Sequence, residues 1–185
     1  MAGRGQPKLR PDTGTADTDD PVSVARVIVL AQLTAGPRTR DQLAKTLTKR
    51  GVPEAAAEQV LDRMTEVGLI DDQAYADQWV SSRSSGRGLA RRALRHELAH
   101  RGVDSAIVAE ALAQIDDESE YASATDLVAR KLRTMGRLEP EAQVRRLVSM
   151  LARKGYPSGL AYRVVREQVT EMQRGGALEG LGLDE

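Results

Sequence analysis

Leu94-Arg95-His96-Glu97-Leu98-Ala99-His100-Arg101-Gly102-Val103 is one of three stretches built to the same outline. Leu43, Leu47, Arg50, Gly51 and Val52 repeat its apolar, basic and glycine positions, and so do Leu147, Leu151, Lys154, Gly155 and Tyr156. Nine residues beyond the three glycines stand Val60, Ala111 and Val164. Leucines four apart put an apolar stripe on one face of a helix. A basic residue in the last turn suits the negative end of the helix dipole. The glycine then ends the helix in the left-handed conformation. Each stretch therefore predicts a helix, a glycine turn and a second helix. One such pair cannot bury its own stripe, so neighbouring copies must stack.

Outward from these stretches the punctuation remains helical. Asp20-Pro21 reads as N-cap and first residue of a helix that stops at Gly36-Pro37. Thr39 and Gln42 form a capping-box pattern, and Pro53 opens a helix ending near Gly68. Asp71 or Asp72 caps the next, which carries Tyr75 and Trp79; packing between helices is their expected use. Further helices are expected over 88–101, 104–115, 119–135, 140–154 and 157–174. No stretch alternates with period two, and the chain has no Phe and one Trp. A core of Leu, Val, Ile, Ala and Met suits an all-α fold better than a β-sandwich.

The opening stretch also contains His96-Glu97-Leu98-Ala99-His100, which fits the H-E-x-x-H pattern of zinc proteases. Glu118 or Glu120 would have to serve as third ligand. The repeat register argues against this. His96 aligns with Lys45 and Ser149, and His100 with Lys49 and Arg153, so both occupy polar slots beside the leucine stripe. Cysteine is absent, which removes thiolate metal sites and disulfides. The chain shows no phosphate-binding glycine loop and no nucleophile–base pattern. We expect no enzyme activity, no metal and no cofactor.

Charge is the remaining signal. The 27 basic and 27 acidic residues cancel overall but are segregated. Residues 54–77 hold seven acids and one base, and 81–101 six arginines and one acid. Residues 104–126 hold seven acids and no base, and 130–154 eight bases and two acids. Arg83, Arg87, Arg91 and Arg95 recur every four residues, with Arg92 and Arg101 nearby. Arg130, Lys131, Arg133, Arg137, Arg145, Arg146, Arg153 and Lys154 form a second cluster. Taken singly, each is read as a solvated side chain with acids on neighbouring helices. As sets they neutralise phosphates or meet an acidic protein surface. Both clusters are therefore candidate partner-binding or DNA-binding sites. The most apolar run, Val22 to Leu33, is broken by Ser23, Arg26 and Gln32 and is too short to span a bilayer. A cytoplasmic, monomeric protein is the expectation.

Gly68-Leu69-Ile70-Asp71-Asp72 followed by Tyr75-Ala76 resembles the signature of the RecX family. Arg83, Gly88, Arg91, Leu94, Glu97-Leu98 and Arg101-Gly102-Val103 fit the same family, and Arg145-Arg146-Leu147 through Tyr156 is similar to its C-terminal repeat. The likeness runs over residues 24–172. It implies tandem three-helix, helix-turn-helix-like units in an elongated, curved array. It also implies a regulator that binds RecA and its filament on DNA. Such a regulator dampens ATP hydrolysis, strand exchange and co-protease function, and so acts on recombination, DNA repair and the SOS response. The alternative is a stand-alone helix-turn-helix DNA-binding regulator. Against it, the second helices at 54–67 and 104–115 are acidic or neutral, which is wrong for a recognition helix. The expected organisation is a disordered tail over 1–20, an N-terminal helix plus first repeat over 21–83, a second repeat over 84–136, a third over 137–174, and a flexible tail over 175–185.

Overall fold

A computed structural model describes residues 20–136 and 138–180, with side chains placed as far as Gly175. The expected tails at 1–19 and 181–185 and the side chain of Arg137 lie outside the described residues. The elements follow as α1 (Pro21–Ala35), α2 (Arg40–Lys49), α3 (Glu54–Glu66), α4 (Asp72–Arg87), α5 (Arg91–His100), α6 (Ser105–Leu112), α7 (Asp117–Leu132), α8 (Pro140–Arg153) and α9 (Ser158–Gly180). Local chemistry sets the ends. Asp20 caps α1 by accepting from Val22 and Ser23, and Thr39 and Gln42 form the reciprocal capping box of α2. Asp71, Asp104 and Asp116 cap α4, α6 and α7 in the same way.

Three separate cores define three units. Ala25, Val29, Leu43, Leu47, Val60 and Leu61 close the first, which comprises α1–α3. Ala76, Val80, Leu94, Leu98, Val108 and Leu112 close the second, α4–α6. Ala124, Val128, Leu147, Leu151, Val164 and Val165 close the third, α7–α9. The leucine stripes are fully buried, as their spacing predicts.

Two expectations need correction. The division at 83/84 assigns α4 to the first unit. Ala76 and Val80 instead pack with Leu94 and Leu98, so the extra helix leads each pair rather than following it. Its own signal is an apolar pair four apart: Ala25/Val29, Ala76/Val80 and Ala124/Val128. The expected tail at 175 is also too early, because α9 continues to Gly180.

The units join through the ends of their middle helices. The Ala90 N–H, at the start of α5, donates to the carbonyl of Lys154 at the end of α8 (2.9 Å). The Thr39 hydroxyl, at the start of α2, donates to the carbonyl of Arg101 at the end of α5 (2.7 Å). In each joint the positive end of one helix meets the negative end of the next. A carboxylate from the following unit takes the first helical amide: Asp72 accepts from Arg40 N–H and Glu120 from Arg91 N–H, both at 2.9 Å. Burial pushes the Asp72 carboxyl above its ordinary range, against the pull of that hydrogen bond. Tyr156 completes the second joint by donating to the Gly88 carbonyl (3.2 Å).

This contact explains the glycines after α5 and α8. A Cβ at Gly155 would lie 2.6 Å from the Ala93 nitrogen, and Gly155 also has φ +89°. Gly51 shares the positive φ, but a Cβ there meets nothing within 4 Å. Gly51→Ala should therefore cost about 1 kcal/mol, the backbone term alone. Gly155→Ala should cost a further ~1–3 kcal/mol for overpacking. Urea unfolding of the two variants measures the difference.

Candidate basic interface

Of the fourteen candidate basic residues, the thirteen with described side chains divide into those with partners inside the protein and those without. Arg91 belongs to the first group. Its guanidinium bonds Glu120 (2.9 Å) and Asp117, and its Nη1 reaches the Ile115 carbonyl. Glu120 is 4% exposed, so this pair seats α7 against the start of α5. The hydrogen bond to Glu120, then that to Asp117, raises the Arg91 pKa further. Arg40 stands at the equivalent place in the first unit and pairs with Glu58 and Asp62.

Arg83 and Arg101 are also turned inward. Their guanidinium carbons lie 4.1 and 3.7 Å from the centroid of the Trp79 ring. The indole N–H donates to Glu97 (2.8 Å), and Tyr75 stacks alongside at 5.9 Å between centroids. Desolvated cation–π contacts contribute on the order of 1–2 kcal/mol each. This cluster fixes α4 on α5. Lys154 Nζ donates to the Arg87 carbonyl across the second joint. Arg83, Arg91, Arg101 and Lys154 thus each have a partner inside the protein.

Arg87, Arg92 and Arg95 near the start of α5 are exposed and have no ion-pair partner among the described residues. The same holds for Arg130, Lys131, Arg133, Arg145, Arg146 and Arg153. The structure brings most of this second set together. Lys131, Met135, Arg145, Arg146, Ser149, Met150 and Arg153 line a cleft of ≈ 510 Å³ between α7 and α8. A neighbouring hollow shares Lys131, Met135 and Arg146 and adds Arg133. The result is an apolar floor of two methionines ringed by unpaired cations.

His96 and His100 both lie exposed on α5. Among the described residues no three His, Cys, Asp or Glu side chains are grouped to hold a metal ion. No described helix is long and apolar enough to cross a membrane.

Sequence reasoning did not anticipate the burial of Thr39, Glu120 and Gln143. Gln143 donates to the carbonyls of Met135 and Leu138 and closes the turn before α8. A signal for the joints was present: Arg40 and Arg91 fall at the same place in the repeat, three residues before the first leucine.

Three cored three-helix units, joined end to end and carrying a face of unpaired cations, define a helical-repeat protein that works by contact. Models of the first, second and third three-helix domains of RecX match residues 25–64, 71–112 and 117–165. The chain belongs to the RecX family, whose members are regulatory proteins and not enzymes. It is 56% identical over 152 residues to the regulatory protein RecX of Streptomyces coelicolor, covering 82% of this chain and 81% of that one. It is 48% identical over 159 residues to the Thermobifida fusca protein of the same name, covering 86% of each. Among solved structures, RecX from Lactobacillus salivarius superposes with a TM-score of 0.73 at 18% identity, covering 80% of this chain and 97% of that one.

The division of arginines is testable. Arg91→Ala takes the guanidinium from the buried Glu120, leaving it the Arg91 backbone N–H alone, and should cost about 1–3 kcal/mol. Arg92→Ala, its exposed neighbour, should stay within about 0.5 kcal/mol. Thermal or urea unfolding of the pair reads the contrast, and equal losses would contradict the assignment.

Proposed function

We propose that this protein binds RecA and its nucleoprotein filament and dampens its ATP hydrolysis, strand exchange and co-protease activity, thereby regulating recombination and repair. The observation that carries this reading is the set of unpaired cations around the Met135–Met150 cleft, together with membership of a family of regulators. A nucleoprotein filament offers phosphate and patterned protein surface side by side. Arg92 and Arg95 on the second unit and Arg130, Lys131, Arg133, Arg145, Arg146 and Arg153 on the third would meet it. Arg87 extends the same set. Clustered cations raise the encounter rate and make binding depend on salt. Beneath them Arg91 ties the second unit to the third, and Arg83 and Arg101 hold α4 on α5. ATP belongs to the partner, and this chain supplies no chemistry of its own.

The test is RecA ATPase on single-stranded DNA, titrated with this protein at two salt concentrations. Arg145→Glu with Arg146→Glu should raise the half-inhibitory concentration about tenfold or more, equivalent to ~1.4 kcal/mol. Helical circular dichroism should stay unchanged, because both side chains are exposed and have no ion-pair partner among the described residues. Full inhibition by a folded double variant would remove this cleft from the function.

A further inference from the structure

The two joints are built alike but close differently. Helices α2 and α5 have the same bounds at a shift of 51 residues, which pairs Pro37 with Gly88 and Thr39 with Ala90. The lead helices α4 and α7 align at a shift of 48, through Ala76 with Ala124 and Val80 with Val128, which pairs Trp79 with Leu127. At the second joint Gly88 is buried directly on Leu127: a Cβ there would lie 2.7 Å from the leucine Cδ1. At the first joint the larger pair, Pro37 and Trp79, leaves a cavity of ≈ 240 Å³. The first unit contributes Pro37 to its lining, and α4 contributes Tyr75, Gln78, Trp79, Ser82 and Arg83. The Tyr75 and Trp79 rings are half-buried and nearly parallel, at 12°. Arg101 fixes both sides. Its carbonyl takes the Thr39 hydroxyl at 2.7 Å, two residues from Pro37, and its guanidinium lies 3.7 Å from the Trp79 ring centroid. A cavity with walls held in this way needs little reorganisation to receive a ligand.

The lining narrows the ligand. The volume falls below the roughly 300–1,000 Å³ of sites for drug-sized molecules, so the occupant is a single ring system. Prolyl and aromatic surface suits a flat ring. The Gln78 amide and the Ser82 hydroxyl, both exposed, offer donors and acceptors to a polar ring edge. No carboxylate lines the cavity, and Arg83 stands in it as a cation. Arg38, next to Pro37, and Arg87, one turn beyond Arg83, are exposed and have no ion-pair partner among the described residues. A flat ring with a hydrogen-bonding edge and an attached anion is a nucleotide. We propose that the cavity at the first joint binds a nucleobase. The base lies against Tyr75 and Trp79, Gln78 and Ser82 bond its edge, and Arg83 meets the attached phosphate. Contact between a base and aromatic side chains tolerates any sequence, because every base has a π-face. A free nucleotide and a nucleotide of a single strand share this chemistry. The cavity is separate from the cation-ringed cleft of the third unit, so the inference does not rest on RecA binding.

Trp79 is the only tryptophan of the chain, so its fluorescence reads the cavity directly. The full-length protein titrated with a short single strand of deoxyadenosine should show saturable quenching. An abasic strand of the same length keeps the phosphates and lacks the bases, and should leave the signal nearly unchanged. Gln78→Ala with Ser82→Ala should raise the half-saturating concentration about fivefold or more. Circular dichroism of this variant should match the wild type, because both side chains are exposed. Deoxyadenosine monophosphate separates the two sources of the base. Equal quenching by the monophosphate assigns the cavity to free nucleotides, and quenching by the strand alone assigns it to a single strand; either result supports the base site. Quenching by neither ligand, equal quenching by the abasic strand, or wild-type affinity in the folded double variant would overturn the proposal.

Discussion

Everything beyond the single three-helix unit depends on one contact, the meeting of a helix start with a helix end. Ala90 N–H on the Lys154 carbonyl and Thr39 Oγ1 on the Arg101 carbonyl are two instances of it. The contact satisfies groups that every helix leaves without partners at its termini. It also opposes unlike ends of two helix dipoles. It requires that no Cβ stand at the turn, which is why the sequence spends a glycine where a left-handed asparagine could serve. The cores alone would give three domains on a string. The joints turn them into an array with a defined register.

The same contact decides which charges are available to a partner. Arg91 and Arg40 lie at the starts of middle helices, where a guanidinium can reach acids on adjacent helices. Arg83 and Arg101 sandwich against Trp79 behind the first joint. Cations placed further along the helix surface, such as Arg145 and Arg153, have no ion-pair partner among the described residues. The acids are not missing from the chain. They sit in the lead helices and the third helices, where Asp72, Glu120, Asp117 and Asp62 serve neighbouring helices. Segregated charge in the sequence thus becomes internal pairing at the joints and an unbalanced surface on the third unit.

Much of the fold was legible before any coordinates. Leucines at i and i+4, glycine stops, and Asp or Thr caps placed the helices within a few residues, because each signal acts through local geometry. The resemblance to RecX came from the same residues. The grouping of helices into units was not legible from the glycines, since a lead helix gives no sign of which pair it will cover. Only its apolar pair, Ala76 with Val80, carries that information, and it becomes meaningful once Leu94 and Leu98 are beside it. The site was half legible. Counting arginines found the basic surface, but Arg91 and Arg92 are adjacent in sequence and face opposite fates. Burial of Glu120 29 residues away settles which is structural.

The account stands on the joints existing in solution, and amide hydrogen exchange reads them directly. The first amides of a helix have no partner within it and normally exchange freely. Here Arg40, Ala90 and Arg91 have acceptors in the neighbouring unit. The account predicts protection of these three amides approaching that of the α5 interior, while Glu141 and Ala142 at the uncovered start of α8 exchange quickly. Arg40, Ala90 and Arg91 exchanging as fast as Glu141 and Ala142 would show the units to be unjoined and would contradict it.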